Sequence, residues 1–397
     1  MKLAERTQLI TPPGTSKMRV LANELKEAGV QVINFAAGEL DVDTSDIIKI
    51  AAKTAVENGR NVYTPTMGMN SLRKLVAKHV SQHSAIEYQE NEVGLTAGAK
   101  QALYNAAMVL LNPGDEVIIP QPYWVTFPTQ VEIAGAKPVY VDTRPRGYKL
   151  MAADIEAMIS PKTKAVIINS PNNPTGTMYD ADQLLQIAEL ALKHNFWIVF
   201  DECYASLLRD GQVHSNVVKL CPKVKERTVL VNSFSKSHAL TGWRVGYVAA
   251  PIAVIKAMEN LQGHTTSNPN SVSQYAVQAA LENENGAFIA NVNRLLQERL
   301  LAAQAIVAQM QDIEAAPAEG AFYLFLNIEA KIGKTFRGQV VTNVDHLCEL
   351  ILSQAQVAVV SGSAFGDGSG IRVSYAISKE DVLEGLSRLK QFFNEIK

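Results

Sequence analysis

Four short apolar runs in the middle of the chain each end on side chains capable of chemistry. One of them continues Val231-Asn232-Ser233-Phe234-Ser235-Lys236-Ser237-His238, a lysine among serines, and runs on through Gly242-Trp243-Arg244-Val245-Gly246-Tyr247. A nearby arginine disfavours the protonated amine, and an unprotonated lysine is a nucleophile toward carbonyl carbon. Ile198-Val199-Phe200-Asp201-Glu202-Cys203-Tyr204 is too apolar for a solvated edge and ends on two carboxylates and a phenol. A carboxylate buried there needs a cation or hydrogen-bond donors. In Ile168-Asn169-Ser170-Pro171-Asn172-Asn173-Pro174-Thr175-Gly176, the prolines restrict a loop whose amide side chains point off a strand end. Leu95-Thr96-Ala97-Gly98-Ala99-Lys100-Gln101 leads small residues straight into a helix, which leaves free backbone N–H groups suited to a phosphate. Singly, each has a plain structural reading as a turn, a cap or a surface lysine. Together they offer a reactive amine, a buried anion, an anion cradle and an arginine.

These clusters need elements that bring them to one edge. The periodicity predicts strands at Glu92–Thr96, Glu116–Pro120, Pro138–Asp142, Ala165–Asn169, Trp197–Asp201, Thr228–Asn232 and Val245–Ala249, alternating with amphipathic helical stretches. That alternation predicts an α/β fold with one large, mostly parallel seven-stranded sheet flanked by helices. In such sheets ligands bind outside the carboxyl ends of the strands, where the four clusters fall. Helix Lys100–Leu111 stops at Asn112-Pro113-Gly114-Asp115, and Ala181–His194 follows Asp180 as its N-cap. Helices Ile252–Gln262, Val272–Glu282 and Ala287–Met310 come next. Strands Gly320–Asn327, Val357–Val360 and Ile371–Tyr375 then mix with helices Asp345–Gln354 and Lys379–Ile396. The first 45 residues, a helix near Lys17–Ala28 and a strand near Val32–Ala36, are too few to bury a core alone. The expected division is a large domain of residues 46–295 and a smaller α+β domain built from both chain ends, 1–45 and 296–397.

Composition closes off other classes. Of 397 residues, 37 are Lys or Arg and 39 Asp or Glu, so no global field recruits nucleic acid or an anionic membrane. The longest apolar stretch, Val245–Ile255, has 11 residues, including Gly246 and Pro251, well short of the roughly 18 that a membrane span needs. Glu5, Pro12 and Pro13 interrupt the amino terminus before any apolar run, which argues against a secretory signal and predicts a cytoplasmic protein. Cys203, Cys221 and Cys348 lack zinc or disulfide spacing and read as inert thiols, and the scattered histidines give no metal motif. No metal is expected.

The four clusters match the needs of pyridoxal 5′-phosphate: a lysine for its aldehyde, an anion for its ring nitrogen and donors for its phosphate. The sequence resembles the class I aminotransferases of the aspartate aminotransferase family, within the fold-type I pyridoxal-phosphate enzymes. The likeness runs from Ala37-Gly38-Glu39 through Tyr63, Asn173-Pro174-Thr175-Gly176, Asp201-Glu202-x-Tyr204, Ser233-x-Ser235-Lys236 and Gly242-x-Arg244-x-Gly246 to Gly370-Ile371-Arg372-Val373-Ser374. The resemblance implies that Lys236 holds the cofactor and later moves the substrate's Cα proton, and that Asp201 pairs with the ring nitrogen. It implies Tyr204 and Asn173 on the phenolic oxygen, Trp124 stacked on the ring, and the Ala99 and Lys100 amides with Ser233, Ser235 and Arg244 on the phosphate. Tyr63 would reach that phosphate from a neighbouring subunit, which makes a homodimer an expectation. Arg372, with Gly38 and Asn173, would take the substrate's α-carboxylate, Trp124 would also meet the substrate, and Lys100 would take a distal carboxylate. The partners implied are thus small amino acids and 2-oxo acids: aspartate and 2-oxoglutarate, or else aromatic, kynurenine-type or prephenate substrates on the same scaffold. The family often carries proline where Leu40 stands, so the loop after Gly38 is expected to sit differently.

Overall fold

Runs such as Ile198-Val199-Phe200 and Val229-Leu230-Val231 are apolar on both faces, and only a sheet covered on both sides buries both. The computed structural model, which describes residues 2–8, 10, 12, 14–283 and 286–397, builds them into a seven-stranded sheet. Across the sheet the strands are Val93–Thr96, Gly246–Ala249, Thr228–Ser233, Trp197–Asp201, Thr163–Asn169, Glu116–Gln121 and Lys137–Asp142. All neighbours run parallel except Gly246–Ala249, which is antiparallel to the strands on both of its sides. Register then sets the chemistry: Asn169 lies beside Asp201, and Thr96 and Ser233 both lie beside Gly246.

The local signals act as the sequence suggests. Asp180 accepts from the Gln183 N–H at 2.9 Å, and Asn195 ends that helix in the left-handed conformation at φ 62°. In the Asn112–Asp115 turn the Asp115 N–H donates to the Asn112 carbonyl at 3.1 Å. Helices Asp46–Glu57, Asn70–Ser84 and Thr126–Ile133 lie beyond those that the periodicity marks out. Among the described residues no helix is long and apolar enough to cross a membrane.

A second apolar core forms away from this sheet. Tyr323–Asn327 pairs antiparallel with Gly370–Ser374, which also pairs with Val360–Ser361. The expected strand Val357–Val360 divides: Val357–Ala358 pairs in parallel with Ile33–Asn34, and the chain changes sheet at the fully buried Val359. Met18, Ala22 and Phe35 share this core with Leu324, Tyr375, Leu386 and Phe393. The helix expected at Asp345–Gln354 is α-helical over Val344–Leu350 and widens into a π-turn over Ile351–Ala355. Helix Ala287–Val307 runs unbroken through residue 296.

Candidate active site

The two cores meet at a cavity of about 430 Å³ outside the carboxyl ends of the central strands. Gly38, Ala99, Lys100, Trp124, Asn173, Asp201, Tyr204, Ser233, Ser235, Lys236, Arg244 and Arg372 all line it. Tyr63 does not: it is 88% exposed and borders a separate surface hollow with Val62, Thr64 and Tyr275.

Lys236 sits in the short helix Phe234–Ser237 just past strand Thr228–Ser233, and its Nζ donates to the Gly38 carbonyl. Its pKa falls to about 8. The first cause is burial, which penalises the ammonium, while Cys203 and Glu39 oppose the shift and Arg372 and Arg244 add to it. Arg244, the cause expected from the sequence, contributes less than burial does. A neutral fraction of the amine is therefore available near neutral pH.

Asp201 ends strand Trp197–Asp201, is 5% exposed, and accepts the Cys203 N–H at 3.0 Å. Burial pushes its carboxyl up to about 6; Cys203 hydrogen bonds work against that rise, and Glu202 adds to it. Among the described residues it makes no ion pair, so this buried anion lacks a cation. Arg372 shows the opposite deficit. It is 3% exposed, with Nη1 on the Asn173 side-chain oxygen and Nη2 on the Ala36 carbonyl, each at 3.0 Å, and its Nε has no partner. Burial lowers its pKa, and its partners here are neutral acceptors. A carboxylate fits that guanidinium fork.

At the other wall, Gly98 takes φ 78° and opens helix Ala99–Leu110. A Cβ on Gly246 would lie 2.6 Å from the Ala99 nitrogen, so glycine lets the neighbouring strand approach this turn. Arg244 has left-handed backbone at φ 55°, a cost of about 1–2 kcal/mol for a side-chain-bearing residue. Its guanidinium donates to the Thr241 and Ala97 carbonyls at 3.0 and 3.3 Å. Lys100 stands in the first turn of its helix, the end where the helix dipole repels a cation. Its Nζ lies 5.0 Å from the Trp124 ring centroid, and burial followed by Arg244 lowers its pKa. Lys100 and Arg244 thus bring positive charge to this wall of the cavity.

Two lining residues carry no signal that sequence patterns could expose. Cys203 reads as an incidental thiol, yet it lines the cavity beside Asp201; burial, and then the Asp201 charge, hold its thiol well above its ordinary pKa, which favours the protonated form. Tyr323, an aromatic in a buried strand, bonds through its hydroxyl to that of Tyr204 at 2.9 Å. Leu40 packs on the second core, and the adjoining Asp41 accepts from Nη1 and Nη2 of Arg299 at 2.7 and 2.8 Å, which pins the loop after Gly38.

The cofactor implied by the resemblance can be tested against this cavity. The uncompensated Asp201 matches a protonated ring nitrogen, the Gly98–Lys100 turn with Ser233, Ser235 and Arg244 matches a phosphate, and Lys236 matches an aldehyde. The residues present fit the group. The family model described as aminotransferase class I and II matches residues 30–389. The chain belongs to this aminotransferase family. The aminotransferase is 40% identical over 394 residues to a Bacillus subtilis protein named aspartate aminotransferase, spanning 99% of each. It is 36% identical over 393 residues to a Nitrosomonas europaea aspartate/prephenate aminotransferase, covering 98% of this chain and 99% of the relative. A crystal structure of the Rhizobium meliloti aspartate aminotransferase superposes with a TM-score of 0.95 at 35% identity, covering 100% of both chains.

Proposed function

We propose that this aminotransferase uses pyridoxal 5′-phosphate to carry the amino group of L-aspartate to 2-oxoglutarate, giving oxaloacetate and L-glutamate in two alternating half-reactions. The observation that carries the reading is the presence of two cations, the buried Arg372 and the more exposed Lys100, in the cavity that also holds Lys236, neither of them in an ion pair among the described residues. A dicarboxylic amino acid supplies one anion for each.

The cofactor, when bound, supplies an aldehyde and an electron-withdrawing ring for the pair of electrons left at the substrate's Cα. Lys236, as a neutral amine, would hold the cofactor through its aldehyde, and its Nζ would serve as the general base for the substrate's Cα proton. Asp201 keeps the ring nitrogen protonated, and in return its own charge gains a partner. The Ala99 and Lys100 amides, Ser233, Ser235 and Arg244 bind the phosphate. Tyr204 and Asn173 donate to the phenolic oxygen; the Asn173 oxygen is already used by Arg372, which leaves its amide nitrogen as donor. Trp124 covers the ring and meets the substrate. Arg372, Gly38 and Asn173 orient the α-carboxylate, and Lys100 Nζ takes the distal one. Tyr63 is read as completing the phosphate site of a second subunit in a homodimer.

Prephenate is the second reading, supported by relatives that carry it in their names. A panel of amino donors and oxo acids, prephenate included, separates the two in wild type, and Lys100→Ala tests the distal-carboxylate contact. Aspartate turnover is expected to lead the panel and to fall in Lys100→Ala by at least about tenfold, the order of one charge-assisted contact. Unchanged aspartate turnover in that variant, with aromatic donors ahead, contradicts the dicarboxylate assignment.

A further inference from the structure

The hydroxyl pair of Tyr204 and Tyr323 joins the two halves of the molecule inside the cavity. Tyr204 follows strand Trp197–Asp201 of the large sheet, and Tyr323 opens strand Tyr323–Asn327 of the second one. Both side chains are buried, and their oxygens lie 2.9 Å apart. The Arg372 guanidinium lies 4.4 Å from the centroid of the Tyr323 ring. The Tyr323 hydroxyl also lies so close to Gly38 that a Cβ there would be 3.3 Å away, and the Gly38 carbonyl accepts from Lys236. Tyr323 therefore borders the carboxylate fork, the loop that holds the lysine and the phenol of Tyr204.

Proton counting gives the pair a direction. Each phenol has one O–H. If Tyr204 donates its proton to the cofactor's phenolic oxygen, its own oxygen is left only to accept, and Tyr323 has to be the donor. A hydroxyl that accepts one hydrogen bond donates the next more strongly.

We propose that Tyr323 is a positioning residue: its hydroxyl donates to Tyr204 and thereby strengthens Tyr204's bond to the cofactor's phenolic oxygen. This rests on the reading that Tyr204 meets that oxygen. A phenolic oxygen drawn toward Tyr204 gives less support to positive charge on the adjoining nitrogen contributed by Lys236, which then loses its proton at lower pH. The other charged and titratable groups around this set are Arg372, Cys203, Asp201, Glu39 and Arg244, and removal of the Tyr323 hydroxyl alone deletes none of them.

The test is a pH titration of the visible absorption band of the cofactor-loaded protein in wild type, Tyr323→Phe, Tyr204→Phe and the double variant. Tyr323→Phe is expected to raise the midpoint by on the order of a few tenths of a pH unit, and Tyr204→Phe by more. The double variant should match Tyr204→Phe alone, because Tyr323 acts only through Tyr204. Phenylalanine keeps the ring beside Arg372, so KM for aspartate should stay within about twofold. An unmoved midpoint in Tyr323→Phe beside a shifted one in Tyr204→Phe overturns the inference, as does a double variant that shifts by the sum of the two. Unmoved midpoints in both single variants overturn the reading of Tyr204 and the inference with it. A protein that takes up no cofactor and shows no band overturns the proposed function instead.

Discussion

Asp201, Arg372 and Lys100 share one property: among the described residues none of them has an ion-pair partner. For Asp201 the consequence reaches stability. Its ordinary pKa of 3.8 rises to about 6 on folding, so the folded chain keeps a proton that the unfolded chain releases. Stability of the cofactor-free protein therefore falls as pH rises from about 4 through 6, by up to about 3 kcal/mol, and stays lower above that. Asp201→Asn removes this titration while keeping an acceptor for the Cys203 N–H. Urea unfolding without cofactor should find the variant more stable than wild type at pH 8 and no more stable at pH 4. With cofactor bound, the order at pH 8 should reverse, because only the carboxylate pairs with a protonated ring nitrogen. A variant less stable than wild type at pH 8 without cofactor contradicts the uncompensated charge. The motif residues were legible because each follows an apolar run with side chains that such a run does not need. Cys203 and Tyr323 were not, since one thiol and one strand aromatic look like core packing until the fold sets them against Asp201 and Tyr204.

Among the elements, those of the large sheet were legible because their runs are bounded by turn chemistry and apolar on both faces. Strand Trp197–Asp201 matches the sequence reading at both ends, and Ala181–His194 begins at the expected cap. The second sheet was harder to read. Its strands are as short as two residues, and Val357–Ala358 and Val360–Ser361 differ only in the partner that tertiary packing assigns them. Helix Asp46–Glu57 was not marked out: its Ser45 makes no side-chain cap bond, and it leaves Ile47, Ile50 and Val56 exposed, which blurs its apolar face. The Asp41–Arg299 pair also lay beyond the sequence pattern, since 258 positions separate its partners. It ties the loop after Gly38, and so the Lys236 contact, to helix Ala287–Val307.

At the scale of the whole molecule, we propose that residues 46–295 act as the cofactor-binding domain and that 1–45 with 296–397 carry Arg372 and Tyr323 to it. Val62 and Tyr63, 71% and 88% exposed, border one surface hollow with Tyr275, apolar groups that suit a second copy of the chain. Sedimentation should therefore find twice the chain mass, and Tyr63→Phe should weaken cofactor retention without dissociating the dimer; a monomer with full retention contradicts this. The central claim is that Lys236 and this cavity run a transamination in two separable halves. Adding L-aspartate alone to the cofactor-loaded protein should abolish the visible band and release one oxaloacetate per chain, with 2-oxoglutarate restoring the band and Lys236→Ala showing neither change. Oxaloacetate that forms only when both substrates are present together, or that still forms in Lys236→Ala, would contradict it.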